Sequence, residues 1–188
     1  MIQIKNAAEL AQMRRACEIS AAALKAGGEA IEPGISTAEI DKIIYDFIVR
    51  HGARPNFLHL YGFPATACIS VNDTVIHGIP SRSQKIRPGD IVSIDTGCKI
   101  GGFNGDNACT YACGKVDLEA RRLMEVTKES LHRGIAMAQA GNRIGDISHA
   151  VQSYVEENGF SVVRSFVGHG VGKELHEDPE VPNFGNPG

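Results

Sequence analysis

No Cys-x-x-Cys pair occurs among the five cysteines of this chain, Cys17, Cys68, Cys98, Cys109 and Cys113. An odd count without that spacing argues against a disulfide framework and suits a reducing compartment. Most of the five read as small buried hydrophobes. Cys109 and Cys113, four apart, would share one face of a strand, but nothing near them completes a zinc set. A polybasic tract is missing too: net charge is -3 and the pI about 6.2, which excludes nucleic acid and anionic membrane surfaces as main partners. The basic pairs Arg14-Arg15 and Arg121-Arg122 fall inside helical patterns and read as solvated faces.

Long apolar runs are equally scarce. The N-terminal stretch MIQIKNAAELAQMRRAC mixes charges into its apolar positions, so it reads neither as a signal peptide nor as a membrane span, and the expected location is the cytoplasm. Neither GxGxxG nor GxxxxGK followed by Ser or Thr is present, which leaves a phosphate-binding loop without support. No nucleophile elbow surrounds a Ser or Cys.

What is present is ordinary globular composition, 43% hydrophobic and 22% charged, in 188 residues, enough for one packed domain. Four helices are expected. The first runs from about Ala7 into Gly27-Gly28, with Asn6 as N-cap and Glu9 at N3. The second has Ser36 and Glu39 at capping-box spacing, an apolar face of Ile40, Ile43, Ile44, Phe47 and Ile48, and Gly52 as its stop. The third covers about Leu118 to Ala140. The fourth covers Ile144 to Asn158, with Ile147, Val151, Tyr154 and Val155 on its apolar face. Strands are expected within Thr66 to Ile76, over Asp90 to Thr96, and over Phe103 to Cys113 after a turn at Lys99 to Gly102.

The second and fourth helices align without a gap. Gly34, Ile40, Ile44, Phe47, Ile48 and Gly52 fall on Gly141, Ile147, Val151, Tyr154, Val155 and Gly159, at one constant offset. Two amphipathic helices bounded by glycine can match by chance, and that alternative stays open, although a long helix precedes each. A true repeat implies two halves, 1–116 and 117–188, each running helix, helix, strands. The stretch from Gly52 to Gly114 is about twice that from Gly159 to Gly188, so the second half reads as short. Its tail, EDPEVPNFGNPG, is turn-rich and suggests no element.

Asp95 and Asp106 flank the Lys99 to Gly102 turn, so a hairpin can bring both carboxylates to one edge. Two acids held close raise one another's pKa unless a cation bridges them, and divalent ions accept such oxygen ligands. Asp95 as a strand-end residue and Asp106 as part of an Asn104-Gly105-Asp106 turn is the competing reading. His169 lies among Gly168, Gly170 and Gly172, where the backbone can approach a site, and His176 follows seven residues on. Neutral imidazole ligates first-row metals, although a lone histidine in a glycine-rich loop is commonly structural. His77, in Val-Ile-His-Gly-Ile-Pro, invites the same two readings. His51, His59, His132 and His149 carry no assigned role.

In series, His77-Gly-Ile-Pro80, Asp90-Ile-Val-Ser-Ile-Asp95, Gly105-Asp106 and Gly168-His-Gly-Val-Gly-Lys-Glu-Leu-His176 resemble the motifs of type I methionine aminopeptidases, over nearly the whole chain. The resemblance implies an α/β (α+β) fold of the pita-bread type, with two pseudo-symmetric halves and the second incomplete here. It implies removal of N-terminal methionine from nascent polypeptides by a monomeric metallo-exopeptidase of bacterial style. Asp95, Asp106 and His169 would be metal ligands, and His77 and His176 would hydrogen-bond substrate and the tetrahedral intermediate. Phe57, Leu60, Phe63 and Cys68 would form the methionine pocket, with Leu60-Tyr61 departing from a family preference for an aromatic residue first.

The family site holds two divalent ions (Co, Mn, Fe, Zn or Ni). Its two glutamate ligands lie beyond Gly188, so this chain is expected to bind one ion or none, to be inactive alone, and to be poorly stable where missing strands uncover apolar faces. Two alternatives stand beside this reading: a non-catalytic binding protein on the same fold, and a peptidase of the prolidase or aminopeptidase P type.

Overall fold

The computed structural model describes residues 1–188. Contacts divide the chain into two compact units. One comprises 3–116 together with Val171–His176; the other comprises Met1–Ile2, Asp117–Gly170 and Glu177–Gly188.

In the first unit, α1 (Ala7–Glu29) and α2 (Thr37–Arg50) both start at capping boxes, Asn6 with Glu9 and Ser36 with Glu39, as their local sequence dictates. Strand β2 (Ala67–Val71) ends earlier than the β-rich composition to Ile76 suggests. The reason is Asn72, which turns the chain at φ 53° while its side chain donates to Asp90 and accepts from the Ile91 amide. Strands β3 (Ile91–Ile100) and β4 (Phe103–Ala112) pair antiparallel along their whole length. The turn is therefore only Gly101-Gly102, both at positive φ, and Lys99 and Ile100 belong to the ladder. Strand β3 is central, with β4 along one edge and β2, then the two-residue β1 (Arg54–Pro55), along the other.

The pleat sorts β3 into two faces. Val92, Ile94, Thr96 and Cys98 are buried and face the core that Ile40, Ile44 and Ile48 of α2 share, all at 0% exposure. Ser93, Asp95, Gly97 and Lys99 point to the opposite face. Helix α1 crosses β4 so closely that a methyl group on Gly105 would lie 2.4 Å from the Ala16 backbone. Asp41 of α2 accepts from the Thr66 and Ala67 amides and fixes where β2 begins.

The second unit holds α3 (Leu118–Met137) and α4 (Ile144–Glu157), then β5 (Gly168–Gly170) paired antiparallel with β6 (Glu177–Val181). Strand β6 corrects the reading of the tail as structureless. Its Asp-Pro composition conceals a strand that exists because β5 gives it a partner. Arg122 donates to the Asn158 carbonyl and lies over the Phe160 ring, and Arg133 lies 3.8 Å over Tyr154.

The two helix pairs correspond in local geometry as well as in sequence. A methyl on Gly27 would sit 2.7 Å from Ile44, and one on Gly134 would sit 2.9 Å from Val151. Gly27 and Gly134, like Ile44 and Val151, are related by the sequence offset. The helix stops correspond as well: Gly52 and Gly159 take φ 73° and 79°, and Ala53 and Phe160 each donate 3.2 Å to the fifth residue back. The glycine stop is a common way for a helix to end, so the matched steric notch is the observation that adds to the sequence offset. No helix is long and apolar enough to cross a membrane.

Candidate metal centre

Asp95 stands opposite Ala108, and Asp106 stands opposite Gly97, so the two carboxylates occupy diagonal positions on one face of the β3–β4 hairpin. That register places Asp106 in a strand and Asp95 at mid-strand, against the reading of either as a turn residue. Cys68 on β2 is the other cross-strand neighbour of Asp95. Asp95 is pushed up to about 7, first by burial and then by the negative charge of Asp106. A cation between the two would relieve both costs, and paired carboxylate oxygens are a donor set suited to a divalent ion. The Cys68 thiol is pushed up to about 12, mainly by burial and then by Asp95, Asp106 and Asp41. It stays protonated, which does not suit a thiolate ligand.

The residues present thus fit a divalent metal at the Asp95–Asp106 pair. No group of three or more His, Cys, Asp or Glu side chains is assembled to hold one. His169 belongs to the second unit, on β5. Its Nδ1 lies 2.9 Å from the Gly170 carbonyl, which can only accept, so in the neutral ring Nδ1 carries the proton and Nε2 the lone pair. Metal-binding histidines are commonly oriented through such a bond from the other ring nitrogen.

His77 and His176 both lie in the first unit. His77 takes φ 58°, a left-handed conformation costly for a side chain of that size, and the next residue explains how it is held. The Gly78 amide donates to the buried Ser70 hydroxyl, and its carbonyl accepts from the Ile69 amide. A methyl on Gly78 would come within 2.2 Å of the Ile69 carbonyl oxygen.

Of the four expected pocket residues, Cys68 is buried and Phe57, Leu60 and Phe63 are half-buried. Phe57 to Phe63 form a tight loop in which His59 accepts strain at φ 70° and donates its amide to Phe63. A cleft of about 460 Å³ borders it, lined by Asn56, Leu58, Leu60, Lys99, Asn104 and Leu175. Only Leu60 of the expected four reaches this cleft. The Nδ2 of Asn56 is buried there without a partner. Ser70, Asn104 and Lys99 were not singled out from the sequence; the signal for the last two was their spacing of two from Asp106 and four from Asp95, hence one shared face. The cysteines divide: Cys68, Cys98 and Cys113 are buried, Cys17 and Cys109 exposed, and Cys113 lies beyond the end of β4 rather than sharing a strand face with Cys109.

The sequence model of metallopeptidase family M24 matches residues 11–188. A methionine aminopeptidase of Clostridium perfringens is 53% identical over 188 residues, spanning 100% of this chain and 75% of the relative. Methionine aminopeptidase 1 of Bacillus subtilis is 48% identical over 187 residues, with the same coverage. Among solved structures, the methionine aminopeptidase of Thermotoga maritima gives a TM-score of 0.98 at 40% identity, covering 100% of this chain and 76% of that one. Prolidase from Pyrococcus furiosus gives 0.84 at 25%, covering 97% and 53%. The chain spans about three quarters of the length of the methionine aminopeptidases it matches.

Proposed function

Because this chain belongs to metallopeptidase family M24, at 53% identity to a clostridial methionine aminopeptidase, we propose that it hydrolyses the first peptide bond of polypeptides that begin with methionine. The observation that carries the reading is the half-buried Asp95–Asp106 pair on one sheet face, whose mutually repelling carboxylates would suit a divalent ion. Cobalt, manganese, iron, zinc or nickel would serve, and two ions make up the complete family site. Such ions supply Lewis acidity and bring the pKa of a bound water toward neutrality.

The chain's own residues take the remaining roles. Asp95 and Asp106 would hold the metal through their carboxylate oxygens, and His169 would offer its Nε2 as a nitrogen donor. His77 and His176 donate hydrogen bonds to the substrate carbonyl and to the oxyanion that develops on it. Phe57, Leu60, Phe63 and the neutral thiol of Cys68 give the methionine side chain an apolar slot, where a thioether packs well. The substrates are new polypeptides in the cytoplasm, met by a monomeric enzyme.

The test is release of free methionine from Met-Ala-Ser by the protein in its natural length, with manganese or cobalt supplied. Cleavage of Xaa-Pro dipeptides in preference to Met-Ala-Ser would favour the prolidase-like alternative. Metal binding without any hydrolysis would favour a binding protein.

A further inference from the structure

The segment Val171–His176 has no helix or strand hydrogen bonds of its own, and Lys173, Glu174 and His176 are exposed. It nevertheless groups with the first unit. Asn104, only 2% exposed, holds it there. Its Nδ2 donates to the Gly172 carbonyl at 2.9 Å and to the Lys173 carbonyl at 3.0 Å, and its backbone amide donates to Gly172 at 2.9 Å. Lys99, opposite Asn104 in the ladder, donates from Nζ to the Lys173 carbonyl at 2.6 Å. The Gly172 amide closes a tight turn by donating to the Glu174 carbonyl. Lys173 itself is anchored to Glu9.

Asn104 is two residues before Asp106, and Lys99 is four after Asp95, so all four side chains leave the same face of the β3–β4 hairpin. One end of that face carries the carboxylates. The other bolts down the backbone that leads, three residues after Lys173, to His176. We propose that Asn104, assisted by Lys99, is a positioning residue that fixes His176 relative to the Asp95–Asp106 pair. This rests on the reading above, in which His176 contacts the substrate. The chemistry is specific to an amide: both protons of Nδ2 are used, each on a separate backbone carbonyl. An aspartate of the same shape would set a carboxylate against two carbonyl oxygens, and alanine would strip one of the two donors from each, leaving only the residue 104 backbone amide on Gly172 and the mobile Lys99 ammonium on Lys173.

The experiment compares wild type, Asn104→Ala, Asn104→Asp and Lys99→Met in the natural-length protein loaded with manganese. Hydrogen exchange at the amides of 172–176 should quicken by about tenfold or more in Asn104→Ala and Asn104→Asp, with the amides of β2 unchanged. Methionine release from Met-Ala-Ser should fall by about tenfold or more, chiefly in kcat, because a displaced His176 weakens a hydrogen bond made to the transition state. Lys99→Met, which removes one bolt from the periphery, should move both readouts in the same direction by less.

The decisive arm is the double variant: in a His176→Ala background, Asn104→Ala should cost less than about a further twofold. A full multiplicative loss there would show that Asn104 does not act through His176 and would overturn the proposal. Unchanged exchange at 172–176 would overturn the clamp itself, whatever the activity. A wild-type protein that releases no methionine would instead overturn the reading of the site, and the two failures are distinguishable.

Discussion

Cys68 stands directly opposite Asp95 in the β2–β3 ladder, a thiol set against a carboxylate on the face that carries the Asp95–Asp106 pair. Burial and the surrounding carboxylates raise the thiol to about 12, so it is neutral at every physiological pH. Limited alkylation with iodoacetamide, read by peptide mass spectrometry, should therefore label the exposed Cys17 and Cys109 and leave Cys68, Cys98 and Cys113 unmodified in the folded protein. Early labelling of Cys68 would contradict a neutral, enclosed thiol.

The acid pair separates function from stability. Replacing Asp95→Asn should weaken manganese binding by about tenfold or more, the scale on which even outer partners of a ligand act. The same change removes one of two mutually repelling charges, so at pH 8 the metal-free protein should melt about 2–4 °C higher. Titration calorimetry and thermal melting read the two effects. A variant that loses stability in the absence of metal would mean that the pair is not under electrostatic stress.

Glu39 gives the fold an acid limit. Hydrogen bonds from Ser36, followed by the contact with Lys85, lower its carboxyl from 4.5 to about 2. A depressed folded-state pKa contributes stability above pH 4.5, and that contribution is lost as the pH falls towards 2. Glu39→Gln should flatten this part of the stability profile measured by urea unfolding between those pH values, and should change little above it beyond a constant offset.

Helix-pair packing predicts an asymmetry between related sites. Alanine in place of a helical glycine gains about 1 kcal/mol of propensity, against about 1–3 kcal/mol for forcing a methyl into a filled space. At Gly27 the neighbour is Ile44, fully buried and with two of its atoms at 2.7 Å, so Gly27→Ala should destabilise by about 1–2 kcal/mol. At Gly134 the neighbour is the half-buried Val151, which can give way, so Gly134→Ala should lie within about 0.5 kcal/mol of wild type. Chemical denaturation of both variants tests the contrast, and equal losses would refute it.

The parts of the fold that were legible in the sequence are those whose causes are local. Asn6 with Glu9 and Ser36 with Glu39 announce their helices within four residues, and Gly101-Gly102 marks the hairpin that aligns Asp95 with Asp106. What was missed depends on partners far along the chain. Glu177–Val181 looks like a turn until Gly168–Gly170 pairs with it. Asn72 ends β2 only because Asp90 and Ile91 come to meet it. Asn104 reads as a turn former, and its use as a double donor needs carbonyls 68 and 69 positions away. The acid pair could be anticipated because a glycine turn between two carboxylates folds them onto one face, where their repulsion calls for a cation. The residues that hold the histidine loops, Ser70 and Asn104, are polar side chains whose role is invisible without their acceptors and donors.

The matched notches at Gly27 and Gly134 also bear on ancestry. Two helix pairs that repeat the same close approach, the same glycine stops and the same backward hydrogen bond are the expected product of a duplicated and fused gene. In such a history the helix pair is the part that was copied, because the correspondence is seen there. The carboxylates of β3 and β4 would then be a specialisation of one descendant half, laid on a scaffold whose helical part was already settled.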